Sequence, residues 1–251
     1  MSLSLLTLNV SRPPRERAEP LLAYLWTRPA DVIVLTEVGR GGGSDMIGAV
    51  ARASGFSVFL SLDDDLGVLV IGRGVELVPD AVAPPDRLPG RVSTLVAETG
   101  AGPIRIAGVY GAASDPVRYS SGAQRARKRD WLASIDRWLS RWLRDDRTPQ
   151  VLIGDLNVVD PVFTAKLPYV LSEEVDAYVA LSAEHDLIDA WRHSHPHVEG
   201  ISWVDHSGVG CRYDHAFVTP DLIERPAECE LDDTPRLEGL SDHSALSLRL
   251  S

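Results

Sequence analysis

Cysteine is nearly missing from this chain, with only Cys211 and Cys229 among 251 residues. No third or fourth cysteine joins them, which excludes a disulfide framework and argues against a thiolate zinc site. Long apolar runs are missing as well, and none approaches the roughly 20 residues needed to span a bilayer. The opening Met1-Ser2-Leu3-Ser4-Leu5-Leu6 has no basic leader and runs straight on to Asn9. It reads as a first strand rather than a signal peptide, so a cytoplasmic protein is expected. No Pro/Gly/Ser linker or charge run divides the chain, and one domain over residues 1–251 is the expectation. The glycine-rich stretch Gly39 to Gly43 lacks the Lys-Ser/Thr of a phosphate-cradling loop.

Positive charge is also scarce, at 25 Lys and Arg against 36 Asp and Glu, a net −11. The deficit is uneven. Residues 118–147 hold nine basic residues against four acidic ones, leaving 16 basic against 32 acidic residues elsewhere. A local basic face on an acidic body suits docking of a phosphate backbone, and equally suits a solvated helix face with internal ion pairs.

The composition that remains is ordinary for a globular protein, with 44% hydrophobic residues. Leu3 to Val10 and Asp31 to Val38 read as strands, and Ala18, Leu21, Leu22, Leu25 and Trp26 between them keep helical spacing. A short helix capped by Ser44 is expected to run to Ala53. Phe56 to Leu60, Leu66 to Ile71, Val75 to Val78, Val92 to Glu98 and Pro103 to Tyr110 are apolar runs with no helical pattern between them, which predicts antiparallel meanders. Trp131, Ile135, Trp138, Leu139 and Trp142 then form one helical stripe, so these tryptophans are expected in the core with the arginines on the other faces. A helix is expected over Ser172 to Asp186, with Val175, Tyr178, Leu181 and Val179 inward. His193, His195 and His197 sit in a polar, proline-containing segment, which favours an exposed loop over a metal site.

Polar groups recur where these runs end. Gln150 to Ile153 leads through Gly154 to Asp155 and Asn157, which strand alternation would aim to one side. Asn9, Glu37, Tyr110, Asp214 and the pair Asp242-His243 stand at the ends of other strands. Loops at one edge of a rigid sheet bring such remote residues together. Carboxylates with an amide and few thiols make a hard-oxygen set suited to Mg²⁺ or Mn²⁺, ions that act mainly on phosphates.

These segments resemble the endonuclease/exonuclease/phosphatase superfamily across essentially the whole chain. The resemblance is carried by Thr7-Leu8-Asn9-Val10, Asp31 to Glu37, Gly108-Val109-Tyr110, Gly154-Asp155-Leu156-Asn157, Arg212-Tyr213-Asp214-His215 and Ser241-Asp242-His243, in the family's order. It implies a four-layer α/β/β/α sandwich of two mostly antiparallel sheets, with Glu37 and Asp155 at one open edge. It further implies that Glu37, with Asn9 and Asp242, binds Mg²⁺ or Mn²⁺, and that Asp155 activates water. Asn157 would hold a phosphate oxygen or orient the nucleophile. His243, oriented by Asp214 with Tyr110 nearby, would stabilise phosphate charge.

The hairpin Ser202 to Asp214 and the run Lys128-Arg129-Asp130-Trp131 are similar to the exonuclease III and apurinic/apyrimidinic endonuclease branch. That likeness implies DNA as substrate, contacted by Arg212, Trp203 and Arg129. Gly111-Ala112-Ala113 departs from the Pro-Asn or Pro-Gln that usually follows the Tyr, and His215 replaces an apolar or aromatic residue. With the acidic total, these departures keep open a small phosphorylated metabolite or lipid head group as substrate. A noncatalytic binding module is the third reading, and the number of converging polar groups speaks against it.

Overall fold

The computed structural model describes residues 2–63, 66–114, 121–144, 148–163, 170–223 and 227–251. Two mixed sheets lie face to face. The first has the order β13-β14-β1-β2-β4-β3, built from β1 (Leu3–Asn9), β2 (Val32–Val38), β3 (Ser57–Leu62), β4 (Gly67–Gly72), β13 (Ala227–Asp232) and β14 (Ala245–Leu250). The second has the order β5-β6-β7-β8-β12-β9, from β5 (Glu76–Pro79), β6 (Val92–Thr99), β7 (Gly102–Tyr110), β8 (Gln150–Asp155), β9 (Ile188–Asp189) and β12 (Asp214–Val218). A two-stranded ribbon, β10 (Trp203–Val204) and β11 (Gly210–Cys211), stands apart from both. The pairs β1-β2 and β7-β8 are parallel, and the other paired strands run antiparallel.

Alternation along each strand produces the layers. In β1 and β2, Leu3, Leu5, Val32 and Val34 face the second sheet's Ile104, Ile106, Val151 and Ile153 in a central core. The intervening Leu6, Leu8, Ile33 and Leu35 turn outward to pack on α1 (Arg15–Trp26) and α2 (Gly42–Ala53). On the far side Val109, Leu152 and Phe217 meet α3 (Ser121–Trp142) and α4 (Ser172–Ala183), where Trp131, Trp138 and Trp142 are fully buried. This is the expected four-layer sandwich, with the tryptophan stripe inside it. At Gly108 the sheets approach closely, since a Cβ there would meet Val34 Cγ1 at 2.9 Å and Val68 Cγ1 at 3.1 Å.

Local departures have simple causes. Helix α2 starts at Gly42 after Gly41 (φ 78°), two residues before the expected cap, because Gly43 packs against the carbonyls of Pro13 and Pro14 where a side chain would collide. Ser44 lies inside the helix and accepts from Gly39 N–H at 3.3 Å. Val179 is 45% exposed because α4 ends at Ala183 and buries Tyr178 and Leu181 on its other side. The histidine segment includes a short helix, α5 (Ala190–Ser194), with the His195 ring stacked on Trp191 at 4.6 Å. The chain closes with the short helices α6 (Pro220–Ile223) and α7 (Thr234–Leu237) beside β13 and β14.

Candidate active site

Parallel pairing sets β1 beside β2 and β7 beside β8, so Asn9, Glu37, Tyr110 and Asp155 emerge at C-terminal strand ends. Antiparallel β12 begins directly opposite Asp155, with Asp214 as its register partner. His243 lies just before β14, which runs antiparallel to β1. Both sheets therefore deliver their polar ends to one edge.

Hydrogen bonds join the two halves there. Asn9 Nδ2 donates to Asp155 Oδ2 at 2.8 Å across the sandwich. The backbone N–H and the side-chain Nδ2 of Asn157 both donate to Asp155 Oδ1, at 3.0 and 2.9 Å. Strand alternation does not bring Asn157 there, because β8 ends at Asp155 and Asn157 takes a left-handed turn, φ 51°. Its Nδ2 also reaches the Gly111 carbonyl at 3.3 Å. A Cβ on Gly111 would fall 2.0 Å from the Leu156 carbonyl oxygen, which explains glycine at this departure from the family pattern. Glu37 is likewise left-handed (φ 56°), at a register shift between Thr36 and Val38. Strained backbone of this kind persists where surrounding contacts over-determine it.

His243 Nδ1 bonds Asp214 Oδ2 at 2.7 Å, and both side chains are buried. The Ser202 hydroxyl accepts from Asp214 N–H at 3.1 Å, and Ser241 Oγ links His243 N–H to the Asn9 carbonyl. Burial alone would lower the His243 pKa, but Asp214, then Asp155 and Asp242, raise it and favour the imidazolium. Asp155 is pushed up by burial, opposed by His243 and reinforced by Asp214 and Glu37. Glu37 is pushed up chiefly by burial, with Asn9 and His243 opposing. One imidazolium thus serves a crowded carboxylate field. Tyr110 is buried with its phenol raised by desolvation, and Arg91 lies 4.2 Å over its ring.

The donors for a metal are hard oxygens. Glu37 offers a carboxylate and Asn9 a carbonyl oxygen that accepts from Ser11 N–H at 2.8 Å, while exposed Asp242 accepts from Trp203 Nε1 at 3.2 Å. Among the described residues no three His, Cys, Asp or Glu side chains are clustered closely enough to form a full protein cage. A single carboxylate with an amide oxygen fits a magnesium-type ion, which keeps several waters and takes phosphate oxygens. It does not fit zinc.

One expected substrate contact is corrected. Arg212 is fully buried, its Nη2 bonding Asp160 Oδ2 at 2.6 Å and Asp189 Oδ2 at 2.8 Å, so it is a structural cation out of reach of substrate. Strand β11 stops at Cys211, and Arg212 and Asp214 serve different partners, Asp160 and His243. His215 joins this cluster. Its Nδ1 faces Arg212 Nη1 at 2.8 Å and Asp189 Oδ2 at 3.4 Å, while Nε2 lies 3.1 Å from the Val158 carbonyl. A carbonyl only accepts and a guanidinium only donates, so the neutral Nε2–H tautomer satisfies both shorter contacts. Trp203 stands half-buried beside Asp242, 6.4 Å from the His243 ring. Arg129 is exposed and pairs with Glu173 of α4 at 2.6 Å. Lys128, next to it in the basic run, is fully buried and donates to the Asn157 carbonyl. Arg118, Asp145, Asp146 and Arg147 lie outside the described residues.

Arg91 escaped the sequence reading. It is 2% exposed and its Nη1 donates to the Gly111 carbonyl at 2.9 Å. A lone arginine at the start of an apolar run carries no signal that it faces the site.

Comparison with solved structures gives an AP endonuclease from Archaeoglobus fulgidus, TM-score 0.78 and 23% identical, covering 98% of both chains. This chain has the AP endonuclease fold. A 3′ phosphatase, NExo, from Neisseria bound to a product DNA hairpin follows at TM-score 0.75 and 21% identity, covering 99% of both chains. The AP endonuclease LMAP from Leishmania major gives 0.75 at 17% identity, over 99% of this chain and 87% of its own. No family model and no curated protein matches in sequence. The AP endonuclease fold accounts for the layer order and for a polar edge fed by both sheets.

Proposed function

We propose that the protein is a divalent-metal-dependent phosphodiesterase, a DNA nuclease of exonuclease III-like type. The observation that carries this reading is the meeting of two polar pairs from opposite sheets, Asn9 with Asp155 and Asp214 with His243, at one edge. The related fold of proteins described as AP endonucleases and as a 3′ phosphatase bound to DNA supports the same chemistry.

Asp155, with both oxygens engaged by Asn9 and Asn157, is aimed as the base for an attacking water. Asn157 orients the nucleophile or a phosphate oxygen. His243 keeps Nε2 for the substrate because Asp214 occupies Nδ1, and its raised pKa supplies positive charge where the phosphate gains negative charge. Glu37 and Asn9, with Asp242 nearby, would hold Mg²⁺ or Mn²⁺, which when bound offsets phosphate charge as a Lewis acid. Trp203 and Arg129 are the proposed substrate contacts outside the catalytic group. No described helix is long and apolar enough to cross a membrane, and the reading places the protein in the cytoplasm without an obligate protein partner.

A second reading is hydrolysis of a small phosphorylated metabolite or lipid head group. It is favoured by the withdrawal of Lys128 and Arg212 into the interior and of Arg129 into an ion pair, on a chain of net charge −11. The deciding experiment offers abasic duplex, 3′-ended duplex, single-stranded DNA, RNA and small phosphate esters with Mg²⁺ or Mn²⁺, and Asp155→Ala as the blank. Turnover of duplex DNA that vanishes in Asp155→Ala is expected. Turnover of small esters alone removes the nuclease, and an Asp155→Ala protein as fast as wild type removes the mechanism.

A further inference from the structure

The basic run at the start of α3 contains one cation that solvent never reaches. Lys128 shares the inward face of α3 with Gln124 and Trp131, while Arg125 and Arg129 point outward. A lysine buried this fully is rare and needs compensation, because desolvation penalises its charge. The compensation is only partial: burial lowers its pKa to about 8, against the attraction of Glu174 and Asp155. Its ammonium donates to the carbonyl of Asn157.

That carbonyl belongs to the left-handed residue whose side chain completes the site. Asn157 Nδ2 is shared between Asp155 Oδ1 and the Gly111 carbonyl, and Gly111 is gripped from its other side by Arg91. The carbonyls of residues 157 and 111 are thus each held by a buried cation. A neutral side chain would fill the same space without the desolvation cost, so the charge has a task other than packing. We infer that Lys128 is a positioning residue for Asn157, holding its backbone in the left-handed turn that keeps the side-chain amide on Asp155.

The inference rests on the phosphodiesterase reading for its kinetic consequence, and on the Asn157 side chain alone for its structural one. The variants are Lys128→Met, which removes the donor, and Lys128→Gln, which keeps a shorter neutral one. On abasic duplex with Mg²⁺, Lys128→Met is expected to lower kcat about 10- to 100-fold with KM within about twofold, the scale of a misplaced catalytic group. Lys128→Gln should recover part of that loss. In an Asn157→Ala background Lys128→Met should cost nothing further, because the group it positions is gone. An equal loss in that background, an unchanged kcat, or a rise in KM alone overturns the inference. Should Lys128→Met fail to fold, the same cycle is run with Lys128→Gln, whose shorter reach predicts a smaller loss that likewise disappears with Asn157.

A second readout needs no turnover. The Asn157 side-chain amide protons, tied to Asp155 and Gly111, should exchange slowly in the wild type and markedly faster in Lys128→Met or Lys128→Gln. Unchanged exchange in the variants overturns the positioning role even when the wild-type protein cleaves DNA. Faster exchange in a protein that cleaves no phosphate ester leaves the positioning role standing and removes the catalytic reading.

Discussion

His243 and Asp214 divide their work by atom. With Nδ1 on Asp214, the imidazole presents Nε2 and stays protonated, so Asp214→Asn should lose both orientation and charge. A fall in kcat of about 100-fold or more is expected, measured at saturating substrate, in line with the worth of a positioned acid or charge donor. Gly111 tests a different property of the site. Because a methyl group there would overlap the Leu156 carbonyl, Gly111→Ala must shift the ends of β7 and β8. A loss of about 2 kcal/mol is expected from the clash, read by denaturant unfolding, together with reduced kcat through the displaced Asn157.

At the scale of elements, β12 is buried along its whole length and joins two polar systems on its two faces. Asp214 addresses His243, and its neighbours Arg212 and His215 address Asp160, Asp189 and Val158. Asp189 is held well below the usual carboxylate range: burial would raise it, and the Arg212 guanidinium, helped by the Arg192 N–H, overcomes that. Asp160 is likewise lowered, against burial, by Val162 N–H, Arg192 and Arg212. The native forms therefore bind protons less readily than the unfolded chain does. Their stabilisation is fully present above pH ~4, near the unfolded carboxylate value, and is lost as pH falls through the folded values. Unfolding followed from pH 6 to pH 2 should show this acid-side loss, and Arg212→Met should destabilise the protein by about 3–5 kcal/mol at pH 7 by leaving the buried Asp189 carboxylate without its guanidinium, while Asp160 keeps Arg192.

These elements also show what a sequence discloses. Apolar spacing placed the main strands and the tryptophan stripe, since burial period is a local property, and the four-layer order came from the family resemblance. The residues at strand ends were legible because topology turns strand ends into one edge. Arg212 was misread because its short-range pattern says nothing about which remote carboxylates, Asp160 and Asp189, will neutralise it. Lys128 looked like surface charge for the same reason. Its acceptor is a backbone carbonyl, which no side-chain pattern announces. Asn157 was placed beside Asp155 for the wrong reason, because the turn after β8 is set by contacts with Gly111 and Lys128.

For the whole molecule, charge is the quantity that separates the two substrate classes. An acidic body whose basic helix has Lys128 buried and Arg129 engaged by Glu173 should make few phosphate contacts, each worth a slope of about −0.9 in log affinity against log salt. Binding of a duplex by the Asp155→Ala protein, titrated between 50 and 200 mM salt, should give a shallow slope of roughly −2 to −3. A slope of zero in the presence of tight binding points away from a phosphate-tracking groove and toward recognition of a single ester.

Gly108 lies two residues before Tyr110 in β7, at a point where the two sheets come close. Since Asn9 and Asp155 ride on opposite sheets, the sandwich works as a pair of calipers whose pivot is the glycine and whose tips are the catalytic groups. Enlarging the pivot should open the tips: Gly108→Ala is expected to weaken kcat without touching any polar residue. Compensating truncation of Val34 to Ala should close them again. Gauge and chemistry are then separable, and the width of the mouth becomes something that can be adjusted from the core.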